Sequence, residues 1–151
     1  MNVKERKVKH KGELDLAGYK IPCYVLEDGT RVLSGRGMAD ALKMVDEVKG
    51  KEKAGNILKK YLAQKSLEPF IYKEKKPEHF DPIICYIGGT KTHGYEATFL
   101  VDICDAFLEA RKSIHLSPRQ EIIADQCEIL VRVFAKVGII ALIDEATGYQ
   151  L

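Results

Sequence analysis

The alternation of apolar and polar residues predicts several strands in this chain. Residues 20–26 and 31–33 are rich in strand-forming side chains and flank Asp28-Gly29, a dipeptide that favours a tight hairpin turn. We therefore predict two antiparallel strands there. Residues 83–87 are apolar and largely β-branched, and a proline and two glycines bound them. This segment is the strongest strand prediction in the chain.

Apolar residues at spacings of three and four predict the helices. Ser34 is a suitable N-cap for the first helix, and Ser117 with Gln120 three residues later forms the capping-box pattern of the longest one. The last predicted helix lies between two glycines, Gly138 and Gly148. The predicted helices cover residues 35–45, 54–64, 100–112, 118–137 and 139–146.

Four segments carry weaker patterns. Residues 1–12 are predicted to be a mobile basic arm, because they contain few core-forming side chains. Residues 70–72 are predicted to form a short strand. Residues 88–94 are predicted to be a flexible loop, with residues 95–98 pairing back on the preceding strand. The prediction for the whole is an α+β fold, in which small antiparallel hairpins or a small sheet pack with about five helices and the chain ends in a helical segment.

Composition limits the class of protein. The chain has 151 residues, of which 46% are hydrophobic, and no stretch approaches the roughly 18 apolar residues that cross a membrane. The charged start lacks an apolar stretch behind it, so we expect no secretory signal. None of the four cysteines forms a CxxC pair, which favours buried, reduced thiols and a cytoplasmic location. They are Cys23, Cys85, Cys104 and Cys127.

The net charge of +2 conceals an asymmetry along the chain. Residues 1–76 hold 18 Lys and Arg against 11 Asp and Glu, a net of +7, whereas residues 77–151 hold 6 against 11, a net of −5. The split favours a polyanion as the partner of the first half. The alternative is that a lysine-rich surface only keeps the protein in solution.

Double-stranded DNA is the partner that the basic half predicts. A two-stranded ribbon leads into a helix, and both elements fit the major groove. We expect an arginine there to bind guanine, the helix N-termini to bind phosphate, and the following lysines to contact the backbone. The candidate DNA-binding residues are Arg31, Ser34, Arg36, Lys49, Lys51, Lys53, Lys59 and Lys60.

The acidic half carries a wide apolar helical face. Helical hairpins with surplus apolar surface commonly associate, so we predict a homodimer or a contact with a regulatory protein partner. The alternative is that this surface covers the sheet of the same chain. The candidate association residues are Ile123, Cys127, Leu130, Phe134, Ile140 and Ile143.

Patterns that would indicate an enzyme are weak. Gly88 to Gly94 lacks the glycine spacing of a phosphate-binding P-loop, although a nucleotide- or phosphate-substrate enzyme that uses this loop is one alternative. No spacing of His and Cys fits a metal site. Asp144 and Glu145 are adjacent and diverge on a helix, so we expect them to cap or face solvent. We predict no catalytic residue, no metal, no cofactor and no enzymatic activity.

Several short segments follow one another in a recognisable order: Asp28 to Ser34, Met38 to Leu42, Leu67 to Ile71, Gly94-Tyr95, and Leu100 to Arg111. This order is similar to that in the KilA-N and Bro types of phage DNA-binding domain. The resemblance spans roughly residues 20–112, and it implies an α+β DNA-binding domain over residues 13–114 that follows the basic arm.

The segment from Gly138 to Gln150 (GIIALIDEATGYQ) resembles part of C-terminal domains in phage-type regulatory proteins, whose relatives include antirepressors. Such proteins continue past the segment, so the resemblance implies that residues 115–151 are the truncated start of a C-terminal domain. Together the resemblances imply a DNA-associated, antirepressor-like regulator of phage or mobile-element type. The alternative is a protein-interaction module without DNA binding.

Overall fold

A computed structural model of the protein describes residues 6–44, 54–72, 81–87 and 89–149. Within these ranges five strands and six helices form an α+β fold, which confirms the predicted fold class. Their order is β1 (Arg6–Leu16), β2 (Tyr19–Leu26), β3 (Arg31–Ser34), α1 (Gly35–Ala41), α2 (Ala54–Leu62), α3 (Glu68–Ile71), β4 (Ile83–Ile87), β5 (Thr90–Glu96), α4 (Thr98–Ser113), α5 (Pro118–Val137) and α6 (Ile139–Thr147).

The five strands close into a small barrel in the order β1-β2-β3-β5-β4. Four of the pairings are antiparallel, and the barrel closes where β4 pairs with β1 in parallel, Arg6 opposite Cys85 and Lys7 opposite Tyr86. The register of β1 on β2 shifts between Val8 and His10. Closure leaves none of these five strands as a free edge of the sheet.

Two tight turns set the register of the first three strands. The β1–β2 turn places Ala17 at φ 52° and Gly18 at φ 87°, the left-handed conformation that a two-residue hairpin requires. The predicted Asp28-Gly29 turn joins β2 to β3, and Gly29 has φ 87°. The Asp28 carboxylate accepts a 2.9 Å hydrogen bond from the Thr30 backbone N–H, which fixes this turn.

The predicted mobile arm is wrong for residues 6–12, which lie in β1. Arg6 donates hydrogen bonds to Asp28 at 2.6 Å and to the Thr30 hydroxyl at 2.9 Å. Val8 packs inside the barrel. Composition alone missed the strand because exposed lysines alternate here with side chains that face the protein, and partners far along the chain supply the pairing. Residues 1–5 lie outside the described residues.

Two other local predictions are wrong. Residues 68–71 form the short helix α3 instead of a strand, since Pro69 fits the first turn of a helix and the Ile71 N–H bonds to the Leu67 carbonyl at 3.0 Å. Most of the predicted loop from Gly88 to Gly94 is strand β5. The connection from β4 to β5 is short, and Gly89 in it has φ 85°.

The strands separate two apolar clusters. A small cluster inside the barrel contains Leu26, Val32 and Cys85. Alternate residues of the same strands, such as Cys23 and Leu33, point outward into the main core, which the helices cover. This core continues from the sheet through α4 and α5 to Ile143 in α6.

The helix ends follow the sequence closely. The Ser34 hydroxyl accepts a 3.2 Å hydrogen bond from Gly37 N–H and caps α1. Ser117 and Gln120 form the predicted capping box of α5, with mutual bonds of 3.2 and 3.0 Å. Gly138 (φ 81°) separates α5 from α6, and Gly148 (φ 73°) ends α6 in the left-handed conformation. None of the described helices is long and apolar enough to cross a membrane.

The C-terminal helix α6 packs against β1 and β2 rather than standing apart. It approaches β1 closely at Gly12, where a Cβ atom would overlap the carbonyl of Ala146. Glycine at this position therefore lets the backbone of α6 lie directly on the strand.

Gly12→Ala should destabilise the protein by about 1–3 kcal/mol, because the added methyl group would push α6 off β1. Chemical denaturation followed by circular dichroism measures the change. Lys11→Ala, at the exposed neighbouring position, is the matched control. Equal stability of the two variants would contradict the close approach.

The Asp28 turn should contribute stability that depends on pH. Hydrogen bonds from the Thr30 hydroxyl and N–H, together with Arg6, lower the pKa of Asp28 from 3.8 to about 2. Because the folded pKa is depressed, the contribution is present above about pH 4 and disappears as the pH falls through about 2. Asp28 is exposed, so the effect should be below about 1 kcal/mol.

The measurement is the melting temperature of the wild type and of Asp28→Asn between about pH 2 and pH 6. The wild type should melt higher at pH 6, and the difference should vanish at the acid end. Asp40→Asn, at an exposed position in α1, serves as the control substitution. A difference that stays constant with pH would refute the assignment.

Candidate nucleic-acid interface

The guanidinium of Arg31, the first predicted DNA-binding residue, contacts residues near the C-terminal end of the chain. It donates to the two carboxylate oxygens of Asp144 at 3.2 and 3.4 Å and to the Gly29 carbonyl at 3.2 Å. It also lies over the Tyr149 ring, 5.0 Å from the centroid. We call this group of Arg31, Gly29, Asp144 and Tyr149 the Arg31 clasp. Each of the three guanidinium nitrogens therefore has an acceptor within the chain.

The Arg31 clasp bears on two sequence predictions. The Arg31 side chain is only 17% exposed and its guanidinium is engaged within the chain, so its contact with DNA stays a prediction. Asp144 was expected to cap a helix or face solvent, yet it forms an ion pair with a residue 113 positions away. His10 of β1 also packs edge-on against the Tyr149 ring, at a centroid distance of 5.3 Å.

The other two residues at the ribbon–helix junction have different environments. The Ser34 hydroxyl already accepts the Gly37 N–H, so it serves the helix and leaves that amide unavailable to a phosphate. Arg36, by contrast, is exposed. Of the three predicted residues at this junction, only Arg36 has a side chain free to meet a ligand.

The predicted lysines divide between described and undescribed segments. Lys59 and Lys60 are exposed in the last turn of α2, where the helix dipole favours cations. Lys49, Lys51 and Lys53 lie outside the described residues.

The predicted association face lies largely in the core of this chain. The structure supports the alternative, in which the apolar stripe of α5 covers the same chain rather than a partner. Ile140 is half-buried and packs against the main core. The remaining five residues are 0–8% exposed, so their side chains leave almost no surface for a second chain: Ile123, Cys127, Leu130, Phe134 and Ile143.

A neighbouring side of α5 carries apolar side chains that remain open. Ile122 is 44% exposed and Ile129 is 47% exposed. They are seven residues apart and therefore share one face of the helix.

A group of cationic and aromatic side chains that sequence analysis missed lies across β1, β4 and β5. Lys7 pairs with Tyr86, and Tyr86 pairs with Lys91, so the three side chains form one row on the same face of the sheet. Cys85, the neighbour of Tyr86, points into the barrel and is fully buried, so the row points outward. Both lysines are exposed and Tyr86 is half-buried.

A second row lies beside the first. Ile84 of β4 pairs with His93 of β5, and alternation along each strand puts both on the same outer side as Tyr86 and Lys91. We call Lys7, Tyr86, Lys91, Ile84 and His93 the basic–aromatic face. The sequence did contain a signal, because polar residues alternate with lysine and histidine in residues 90–93, but the glycines beside them favoured a loop.

The basic–aromatic face borders the start of α1. Ser34 pairs with Gly94, and a Cβ atom on Gly35 would lie 2.8 Å from the Tyr95 ring and 3.9 Å from the His93 carbonyl. The exposed Arg36 follows directly, so its backbone lies at the edge of this face.

The cysteines are free and buried, as predicted. Burial raises the pKa of Cys23 to about 11, and a hydrogen bond to Cys127 together with burial raises the pKa of Cys104. These two thiols therefore stay protonated at neutral pH, which makes them poor nucleophiles.

The loop predicted between Gly88 and Gly94, on which the alternative enzyme hypothesis depends, is mostly strand. Residues 90–94 are paired strand, so their backbone amides are not arranged as a loop around a phosphate. No protein-family model, no curated protein and no solved structure matches the chain.

Asp144→Asn should lower the free energy of unfolding by about 1–3 kcal/mol, because it removes the charge that faces the partly buried Arg31. Urea denaturation measures the loss. Glu145→Gln, at the exposed adjacent position, should leave stability unchanged and is the matched control. If the Arg31 clasp does not stabilise the fold, both variants will unfold at the same urea concentration.

Proposed function

We propose that this protein is a DNA-associated regulatory protein that contacts double-stranded DNA through the basic–aromatic face and Arg36. The observation that carries the proposal is a set of exposed cations on one side of the barrel. Among the described residues, Lys7, Lys91 and Arg36 form no ion pair, whereas Arg6, Arg31 and Arg111 are all paired with carboxylates. Cations that are free of internal partners remain available to phosphate.

The positions of these cations support a ribbon contact. The β4–β5 hairpin is a two-stranded antiparallel ribbon, and Lys91 lies close to its tip. Two-stranded ribbons fit the major groove, and flanking lysines contact phosphate on either side. Lys59, exposed on α2, would extend the basic surface of the same half of the chain.

The regulatory part of the proposal draws on the resemblances to phage DNA-binding domains and to antirepressor-associated segments. They favour a non-enzymatic, cytoplasmic regulator of phage or mobile-element type. The clasp gives the second segment a physical role, because Asp144 and Tyr149 both belong to it and both hold Arg31.

We also propose that the protein forms a homodimer through the open face of α5. The specific observation is the pair Ile122 and Ile129, the large apolar side chains that are most exposed in the described structure. A two-fold pairing would present two basic–aromatic faces to one DNA duplex.

Binding to random-sequence duplex DNA should fall steeply as salt rises from about 50 to 200 mM, because phosphate contacts release counterions. The double variant Lys7→Ala/Lys91→Ala should weaken binding to every sequence and flatten the slope of log K against log salt by about 2. Fluorescence anisotropy measures both. Lys112→Ala, at an exposed position on α4, is the control and should change neither.

Arg36→Ala separates base reading from phosphate contact in the same assay. Loss of about 1–3 kcal/mol on a selected sequence, with little change on random duplex, is expected if this side chain binds a base. Wild-type binding that does not depend on salt, or full binding by the double lysine variant, would overturn the proposed duplex interface.

For the dimer, Ile122→Asp/Ile129→Asp should give monomers in light scattering while circular dichroism stays unchanged, because both positions are exposed. Leu130→Asp is the informative contrast. Its side chain is fully buried, so this substitution should unfold the chain instead of separating subunits. If light scattering shows that the wild type is a monomer, the proposed dimer is wrong.

A further inference from the structure

We infer that the basic–aromatic face binds the unpaired bases of single-stranded nucleic acid. This inference goes beyond the proposed function, because it assigns a second ligand class, unpaired bases, to the same surface. It is carried by the position of one aromatic ring between two cations on an outward sheet face.

Tyr86 occupies the centre of the first row. Neighbouring strands are about 4.8 Å apart, so Lys7 and Lys91 flank Tyr86 at about that distance on either side. A base stacked on the tyrosine ring would place its two adjoining phosphates toward the two ammonium groups. Stacking on an aromatic ring with cations along the backbone is the usual means of holding a single strand.

The second row extends the site along the strands. Ile84 and His93 lie two residues from Tyr86 and Lys91, a step of about 7 Å. His93 adds a second planar ring and Ile84 an apolar side chain, so a neighbouring base could be covered as well. The face is therefore large enough for about two nucleotides.

The carboxylates nearest the face lie at its borders, where the Glu27 backbone N–H bonds to the Lys7 carbonyl at 3.1 Å, and where burial and the nearby Asp81 raise the pKa of Tyr95. Among the described residues, neither Ile84 nor Tyr86 packs against either buried cluster, so their apolar surface is not part of the core. The outward positions of β4 and β5 carry no carboxylate within their described lengths, since Glu96 pairs with Val32 on the inner side. The rings and the ammonium groups are accordingly not neutralised within these strands.

The ring distinguishes single-stranded from duplex DNA. A duplex presents phosphates and base edges, while the faces of its bases are hidden in the stack. The lysines can serve either ligand, but Tyr86 gains its full stacking contact only with an unpaired base. Substitution of Tyr86 should thus affect one ligand and spare the other.

The test is fluorescence anisotropy with a labelled thymidine single strand and a labelled duplex, each of about twelve nucleotides per strand, at about 50 mM salt. Tyr86→Ala should weaken single-strand binding about 5- to 100-fold and leave duplex binding within about twofold. Tyr86→Phe keeps the ring and should bind both as the wild type does. Tyr24→Phe, a ring that packs inside the barrel, controls for loss of a tyrosine hydroxyl elsewhere.

The outcomes test single-strand binding and the proposed duplex binding separately. Single-strand binding that falls in Tyr86→Ala and persists in Tyr86→Phe supports the inference, provided that circular dichroism shows both variants folded. Duplex binding without single-strand binding, or single-strand binding indifferent to Tyr86→Ala, overturns the inference and leaves the duplex proposal in place. Absence of binding to either ligand overturns both.

Discussion

The contact of the C-terminal segment with the first strands is the constraint on which the rest of the structure depends. Gly12 lets the α6 backbone lie on β1, and Arg31 holds the same segment through Asp144 and Tyr149. The apolar side chains of α6 then complete the main core, with Ile143 fully buried. Without this contact, an apolar helix and the outer side of β1 and β2 would both be exposed to water.

Coverage of the barrel explains where a ligand surface can exist. Helices cover the outer side of β2, β3 and the adjoining half of β1, which turns those residues into core. The outward positions of β4 and the start of β5 hold the half-buried Ile84 and Tyr86 and the exposed Lys91 and His93. The same barrel wall thus stabilises the fold on one side and presents charge on the other. The proposed nucleic-acid contact uses only the second side.

The sequence predicted those parts of the fold that depend on neighbouring residues. The Asp28-Gly29 turn, the Ser117 cap and the glycines around α6 all act over a few positions, and the structure contains each of them. Strand β1 was missed because its pairing partners are supplied by β2 and by β4, far along the chain. Local composition carries little information on such pairings.

The candidate site was harder to predict for the same reason. Arg31 looked available because nothing in the nearby sequence competes for it, yet Asp144 binds it from 113 residues away. The apolar stripe of α5 could not reveal whether the same chain or another covers it. The row of Lys7, Tyr86 and Lys91 exists only after three separate segments have paired. Long-range pairing decided both what the cations bind internally and which of them stay free.

The register shift in β1 has a consequence for how this strand can change. Val8 pairs with Leu26 and faces the barrel interior, while His10 pairs with Val25 and faces the helices, although residues two apart in a regular strand share a side. The extra residue, Lys9, reverses the sidedness of everything after it. In β1, the odd-numbered residues before Lys9 and the even-numbered residues after it therefore face the same side of the sheet. Loss of that single residue would turn β1 into one regular strand, in which Val8 and His10 would become neighbours and keep their present sides.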